Sequence, residues 1–197
     1  AALLAAVAPL ARGAAATAAQ KADVASKFAV LEKLNPTRAP LAAPELNGRW
    51  KLLYTTSAGI LGTARPPPFR PFGPIYQLLD GPNMKAQNRE VEEGEIEGGR
   101  EIEGQKVGAR AHLFLLSLLS QTFPFFNRVD AALTPQSPSR VGVQFLTFHI
   151  LGLIPVKAPP TARGQLDITY LDATLRLSRG DKGNLFVLAM DDPKDRP

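Results

Sequence analysis

The hydrophobic period of this chain changes once, between Pro36 and Gly48, and that change bounds the folds open to it. Before it, apolar residues recur at helical spacing. Leu3, Leu4, Val7 and Leu10 mark a short first helix that stops at Pro9–Gly13. Val24, Phe28, Leu31 and Leu34 form one stripe of a second helix over 17–34, with Lys21, Asp23, Lys27 and Lys33 mostly off it. Asn35-Pro36 ends that helix, because Pro disfavours the α region for the residue before it.

From Gly48 the period is two. Trp50, Leu52, Tyr54 and Thr56 share one face of a strand, and Lys51, Leu53 and Thr55 the other. Further strands are expected over 75–80, 84–91, 94–103, 107–119, 126–133, 140–150, 164–171, 174–178 and 185–190. Tight turns at 172–173 and 180–183 join the last three. Eight to ten strands so closely connected predict a mainly β, antiparallel meander that closes into a barrel, since closure removes exposed edges. The expectation is one domain over 1–197, a helical lead-in at 1–35 and a barrel over 46–190.

Parity proposes an interior: Trp50, Tyr54, Val143, Phe145, Ile168, Tyr170, Leu175 and Leu177. A small barrel either fills with such side chains or keeps room for one ligand. In the second case these residues line the ligand site, and Tyr54 or Tyr170 offers it a hydroxyl.

Composition removes several function classes. Cysteine is absent, so disulfides and thiolate chemistry are excluded. Hydrophobic residues make up 45% of the chain, enough to bury a core. No stretch reaches the ~20 apolar residues of a membrane-spanning helix, so any membrane contact is peripheral. The formal charge of +5 hides an asymmetry: residues 90–103 carry seven Glu and one Arg, leaving 22 of the 23 basic and 11 of the 18 acidic residues elsewhere. That balance suits a solvated basic surface or an anionic membrane. The scattered basic residues form no Arg-rich helix and no aromatic RNA-binding signature, which argues against nucleic acid. The Glu-rich segment lacks the Asp/Asn/Gly spacing of a calcium loop and reads as a solvated edge hairpin. His112 and His149 have neither a nucleophile motif nor metal-ligand spacing beside them. No catalytic residue, metal site or cofactor is expected.

Two apolar segments are candidates for contact with lipid. Residues 64–74 hold Phe69, Arg70 and Phe72 among five prolines, as a lipid-wetting loop or a rigid connector. Phe125 and Phe126 follow a segment, 113–119, that is apolar on both faces. Such a strand needs cover outside as well as inside, and the lead-in helices are its economical cover.

Gly48-Arg49-Trp50 with Arg176 resembles the lipocalin barrel-closing pair, in which a late Arg covers an early Trp through a cation–π contact. Gly164-Gln165-Leu166-Asp167-Ile168-Thr169-Tyr170-Leu171-Asp172, followed by Leu175-Arg176-Leu177-Ser178-Arg179-Gly180-Asp181-Lys182-Gly183-Asn184-Leu185-Phe186-Val187-Leu188, is similar to the terminal signature of the plastid lipid-associated (fibrillin) family. Leu31-Glu32, Asn35-Pro36-Thr37, Leu46 to Ser57 and Ile75-Tyr76-Gln77 fall in that family's order. The resemblance implies a non-enzymatic, lipocalin-like β-barrel preceded by N-terminal helices, with residues 1–15 part of the domain rather than a transit peptide. It also implies a plastid (chloroplast) location on thylakoids or plastoglobules. The implied partners are apolar lipids (carotenoids, prenylquinones, galactolipids), held inside the barrel or coated from outside by a solid one. It assigns no catalytic residues.

Overall fold

In the computed structural model, the structure describes residues 1–63, 73–90, 126–150 and 154–197. Ala2–Val7 forms helix α1 and runs into a 3-10 turn over Ala8–Gly13. Helix α2, Ala18–Lys33, starts at a capping box: Thr17 Oγ1 accepts from the Gln20 N–H, and the Gln20 side chain accepts from the Thr17 N–H. Its inner face buries Val24 and Phe28 and half-buries Leu31. Leu34, expected on that stripe, is 66% exposed, because the helix stops one residue short of it.

Nine strands complete the described chain: β1 (Gly48–Thr55), β2 (Ile75–Asp80), β3 (Lys85–Glu90), β4 (Phe126–Pro135), β5 (Arg140–Ile150), β6 (Ile154–Lys157), β7 (Arg163–Leu171), β8 (Leu175–Gly180) and β9 (Leu185–Asp192). Every pairing is antiparallel. Eight strands close on themselves in the ring β1-β2-β3-β4-β5-β7-β8-β9, sealed where β9 meets β1. Strand β6 pairs with the far half of β5 outside that ring. It carries Pro155, tolerated there because an edge strand needs fewer ladder donors. The expected strands at 94–103 and 107–119 lie outside the described residues.

Two glycines make close approaches that no other residue allows. Gly13 has φ +106°, and a Cβ there would stand 2.3 Å from the Thr55 carbonyl oxygen, so the lead-in rests directly on β1. Gly48 has φ +122°, and a Cβ would stand 2.7 Å from the Asp192 carbonyl oxygen at the β1–β9 seal.

The core has two compartments separated by the sheet. Outside the barrel, Leu3, Val7, Leu10, Val24 and Phe28 of the lead-in pack on Tyr54, Leu175, Leu177, Leu185 and Val187 of β1, β8 and β9. Inside it, Leu46, Trp50, Leu52, Leu79, Ile168, Leu171 and Leu188 form the second cluster. The lead-in thus covers the β1–β9–β8 wall. Arg179 locks it there: its guanidinium lies 5.2 Å above the Phe28 ring and forms a two-point pair with Glu32, at 2.7 Å for each contact. Asn35 and Thr37 tie the exit of α2 to the end of β7. Asn35 Oδ1 accepts from the Leu171 N–H at 3.1 Å, and Thr37 Oγ1 donates to the Leu171 carbonyl at 2.7 Å.

Four of the eight residues expected inside are outside, and the sheet's irregularities explain why. In β1, Leu52 opposes Leu188 but Tyr54 opposes Val187, so Leu53 is an extra residue. In β7, Ile168 opposes Ser178 but Tyr170 opposes Leu177, so Thr169 is extra. Each bulge inverts the facing of the residues beyond it, which turns Tyr54 and Tyr170 outward to the helices. In β8 the expectation was out by one residue: Arg176 and Ser178 point in, while Leu175 and Leu177 point out. Trp50, Val143, Phe145 and Ile168 belong to the inner cluster.

The β7–β8 turn is organised by one carboxylate. Asp172 accepts from the Thr174 and Leu175 N–H groups at 2.7 and 2.8 Å, and from the Tyr170 hydroxyl at 2.6 Å. Burial alone would raise its pKa, but these hydrogen bonds outweigh it and hold the carboxyl below its ordinary 3.8. The same bond, helped by burial, pushes the Tyr170 hydroxyl up to about 12. A carboxylate lowered in the folded state stabilises above its unfolded pKa and loses that contribution as pH falls through the folded one. Asp172→Asn should therefore lower the denaturation midpoint at pH 7, and the gap to the parent should close below pH ~4. A gap that stays constant down to the pH at which the folded Asp172 carboxyl protonates, followed by NMR, would show that the charge is not what holds the turn.

Candidate functional site

The two halves of the barrel interior differ in packing. At the end where β1 begins, 3-10 turns at Pro40–Ala42 and Pro44–Leu46 plug the opening. Leu41 and Leu46 enter the inner cluster, and the Trp50 indole N–H donates to the Leu46 carbonyl at 2.9 Å. Trp50 is fully buried. Arg176 lies across its ring at 5.0 Å, a cation–π contact removed from water. A void of about 40 Å3 lies against Leu41 and Leu46 in this half.

The opposite half opens into a cavity of about 480 Å3. Leu52, Ile75, Val129, Val143, Phe145 and Phe186 supply its apolar wall. Helix α3, Ala58–Leu61, lays Ile60 against one side, and the β8–β9 turn contributes Asp181, Lys182 and Asn184. Arg89, Glu90 and Arg163 add charge to the lining. A concavity that joins an apolar wall to convergent polar groups can hold an amphipathic small molecule, and the volume lies within the ordinary range.

Those polar groups run inward. Gln77 of β2 and Asn88 of β3 are cross-strand partners joined at 3.1 Å, and both line the cavity. The Gln77 side-chain oxygen accepts from Arg176 Nη2, so a polar string reaches from the cavity wall to the plugged end. Ser178, one inward position along β8 from Arg176, also lines the cavity, and its hydroxyl is buried. Burial brings Arg176 down to about 9, the largest displacement of any described cation, because no described carboxylate lies against it. Parity names no interior residue in β2 or β3, and in β8 it selects the face opposite Ser178. The signal available was that Gln77 shares the face of buried Leu79.

Val143 and Phe145 line the cavity, Ile168 lines the small void, and Trp50 lines neither but packs in the same inner cluster. Tyr54, Tyr170, Leu175 and Leu177 are on the far side of the sheet and touch neither space. Phe69, Arg70, Phe72 and Phe125 lie outside the described residues, as does His112. Phe126 opens β4, paired with Ile150. His149 stands on the outer wall, its Nε2 2.7 Å from Asp130 Oδ2, and Asp130 also accepts from Gln87 and Arg128. Among the described residues no three His, Asp or Glu side chains group as a metal site, and no helix is long and apolar enough to cross a membrane.

Comparison with known proteins gives one consistent result. The model of the family described as PAP_fibrillin matches residues 1–189. A probable plastid-lipid-associated protein 5, chloroplastic, of Arabidopsis thaliana is 38% identical over 98% of this chain and 70% of its own length. A chromoplast-specific carotenoid-associated protein of Cucumis sativus is 28% identical over 85% of this chain and 60% of its own. A light-induced protein, chloroplastic, of Solanum tuberosum is 28% identical over 90% and 62%. The chain therefore spans 70% of the first relative's length and about three-fifths of the other two. No solved structure matches it significantly.

Proposed function

Since this chain belongs to the PAP/fibrillin family of plastid proteins, we propose that it is a non-enzymatic lipid binder whose barrel takes one apolar molecule into its open half. The observation that carries this reading is the apolar cavity of about 480 Å3 above a solid, plugged end. Carotenoids, prenylquinones and galactolipids have tails of the required chemistry, and thylakoids and plastoglobules are the proposed sites of action. A barrel packed solid throughout would favour the coating role instead; an interior half-filled and half-open favours binding.

Trp50 is the only tryptophan and packs in one cluster with Leu52, Val143 and Phe145 of the cavity wall, so its emission reports occupancy. Titration with a short-chain prenylquinone should quench it saturably at one molecule per chain. Val143→Phe, which fills the cavity wall, should weaken that quenching by roughly tenfold, given the cost of overpacking a tight site. Quenching that never saturates, or that is identical in the variant, would refute an internal site.

A second reading, peripheral contact with a lipid surface, is favoured by one observation. Leu146, Ile154 and Val156 of β5 and β6 are 47%, 49% and 39% exposed, with Lys157 and Arg163 exposed close by in sequence. Basic residues attract an anionic surface by ~1 kcal/mol each, but salt screens them within about 8–10 Å, so apolar anchors decide retention at high salt. Ile154→Ser with Val156→Ser, and separately Phe69→Ser with Phe72→Ser, should each reduce flotation with anionic liposomes at high salt. The pair that floats like the parent is not an anchor.

A further inference from the structure

Arg176 is a costly residue in its position. It is wholly buried inside the barrel, its Nη2 donates to Gln77, and its Nε and Nη1 meet no acceptor among the described residues. The Trp50 face offsets part of that cost, but a cation–π contact satisfies no hydrogen-bond donor. A buried charge without a counter-charge is strongly unfavourable. Ser178 repeats the pattern one step closer to the cavity: fully buried, its hydroxyl bonded to no described residue, and lining the space. Gln77 lines both the large cavity and the small void, so it stands between the open half and the guanidinium. Ser178 and Gln77 therefore line the cavity with spare donor capacity, and Arg176, which lines neither space, stands directly behind Gln77.

We propose that Arg176, with Ser178 and Gln77, forms the head-group subsite of that pocket and selects amphiphiles ending in a carboxylate, bound head-down with the tail toward the mouth. This rests on the reading that the barrel binds an apolar ligand, and it adds the class. A carboxylate supplies the counter-charge that Arg176 lacks and accepts from its idle donors, while the Gln77 amide can turn to donate to the same oxygens. A neutral alcohol or ester of the same chain length leaves the guanidinium uncompensated. The acidic side chains in the lining, Glu90 and Asp181, sit at β3's last residue and in the β8–β9 turn rather than beside Arg176, so they leave its charge to the ligand.

The test compares oleic acid with oleyl alcohol, each below its aggregation concentration, against the parent chain and Arg176→Met. It is run at high salt, so that attraction to Arg89, Arg163 and Lys182 is screened. The parent should prefer the acid by roughly ten- to a hundredfold, the range expected for a charge-assisted hydrogen bond. In Arg176→Met that ratio should fall to about one. A parent that binds both equally, or whose preference disappears with salt, overturns the subsite and leaves the cavity reading standing. A parent that binds neither overturns both. Should Arg176→Met fail to fold, the parent alone decides by NMR with carboxyl-labelled oleate. A bound carboxyl resonance that does not titrate with bulk pH supports the subsite, and one that titrates as in water refutes it.

Discussion

Trp50→Ala is expected to lower stability by ~3–5 kcal/mol, as a large aromatic truncation in a site with little room to collapse. Three contacts go together. The ring is fully buried among Leu46, Leu52, Leu171 and Leu188, its N–H bond to the Leu46 carbonyl holds the plugging turn, and its face supports Arg176. Relaxation cannot recover much, because the plug is fixed on its other side by Asn47, which accepts from the Gly81 N–H at 2.7 Å and donates to the Pro44 carbonyl at 3.0 Å. At roughly 2–4 °C per kcal/mol for a chain of this size, the melting temperature should drop by about 6–20 °C. Circular dichroism is the proper readout, since the variant has no tryptophan to follow. An unchanged midpoint would mean that the ring adds nothing to the closed end.

The second large effect is expected at Phe28, on the other side of the sheet. Phe28→Ala should also cost ~3–5 kcal/mol, but through a different failure. Phe28 is fully buried at the contact between α2 and the β1–β9–β8 wall, with the Arg179 guanidinium over its ring. Without it the helix keeps Val24, half-buried Leu31, the short α1 contacts, the Asn35 and Thr37 bonds at its exit and the Glu32–Arg179 pair, whose Arg side chain is 42% exposed. Burial acting alone would raise the Glu32 pKa, yet Arg179 holds it below its ordinary value. A pair so exposed contributes at most about 1 kcal/mol after screening. Glu32→Gln should therefore be mild and Phe28→Ala severe, with dye binding exposing the apolar wall of Tyr54, Leu177 and Val187. Equal effects would show that charge, not burial, seats the helix.

How far the fold was legible turns on periodicity. The switch from 3.6 to 2 marked the boundary between lead-in and barrel, and runs such as 140–150 located strands closely, because patterned burial leaves a direct trace in sequence. The faces were harder to read. A strand such as β8, Leu175-Arg176-Leu177-Ser178, has one apolar and one polar face, and ordinary expectation turns the apolar face inward. Here the outer face is the one packed by helices, and the buried Arg belongs inside. Alternation could not reveal this, since both faces are buried. The bulges at Leu53 and Thr169 left no sequence signal either: both residues have good strand propensity. Gln77 and Asn88 escape for a related reason, since Ile75–Asp80 and Lys85–Glu90 lack an apolar alternation that marks an inner face, and Ser178 lies on the polar face of β8. Strand β6 was hidden by Pro155.

The seal of the barrel also sets an order of assembly. Strand β1 pairs with β2 on one side and with β9 on the other, and the apolar stripe of α1 and α2 meets, besides Tyr54 of β1, a wall drawn from β8 and β9. The apolar stripe of the lead-in is not fully covered until residues 175–192 have left the ribosome. Contacts of such sequence separation carry a large loop-closure cost and slow folding. Intermediate lengths of the chain would display the Val24–Phe28 stripe with only part of its wall to receive it, a surface open to chaperones and to aggregation. Ribosome-bound chains stopped before β8 should be protease-sensitive throughout the lead-in, and protection of Phe28 should arrive in one step as β9 is completed.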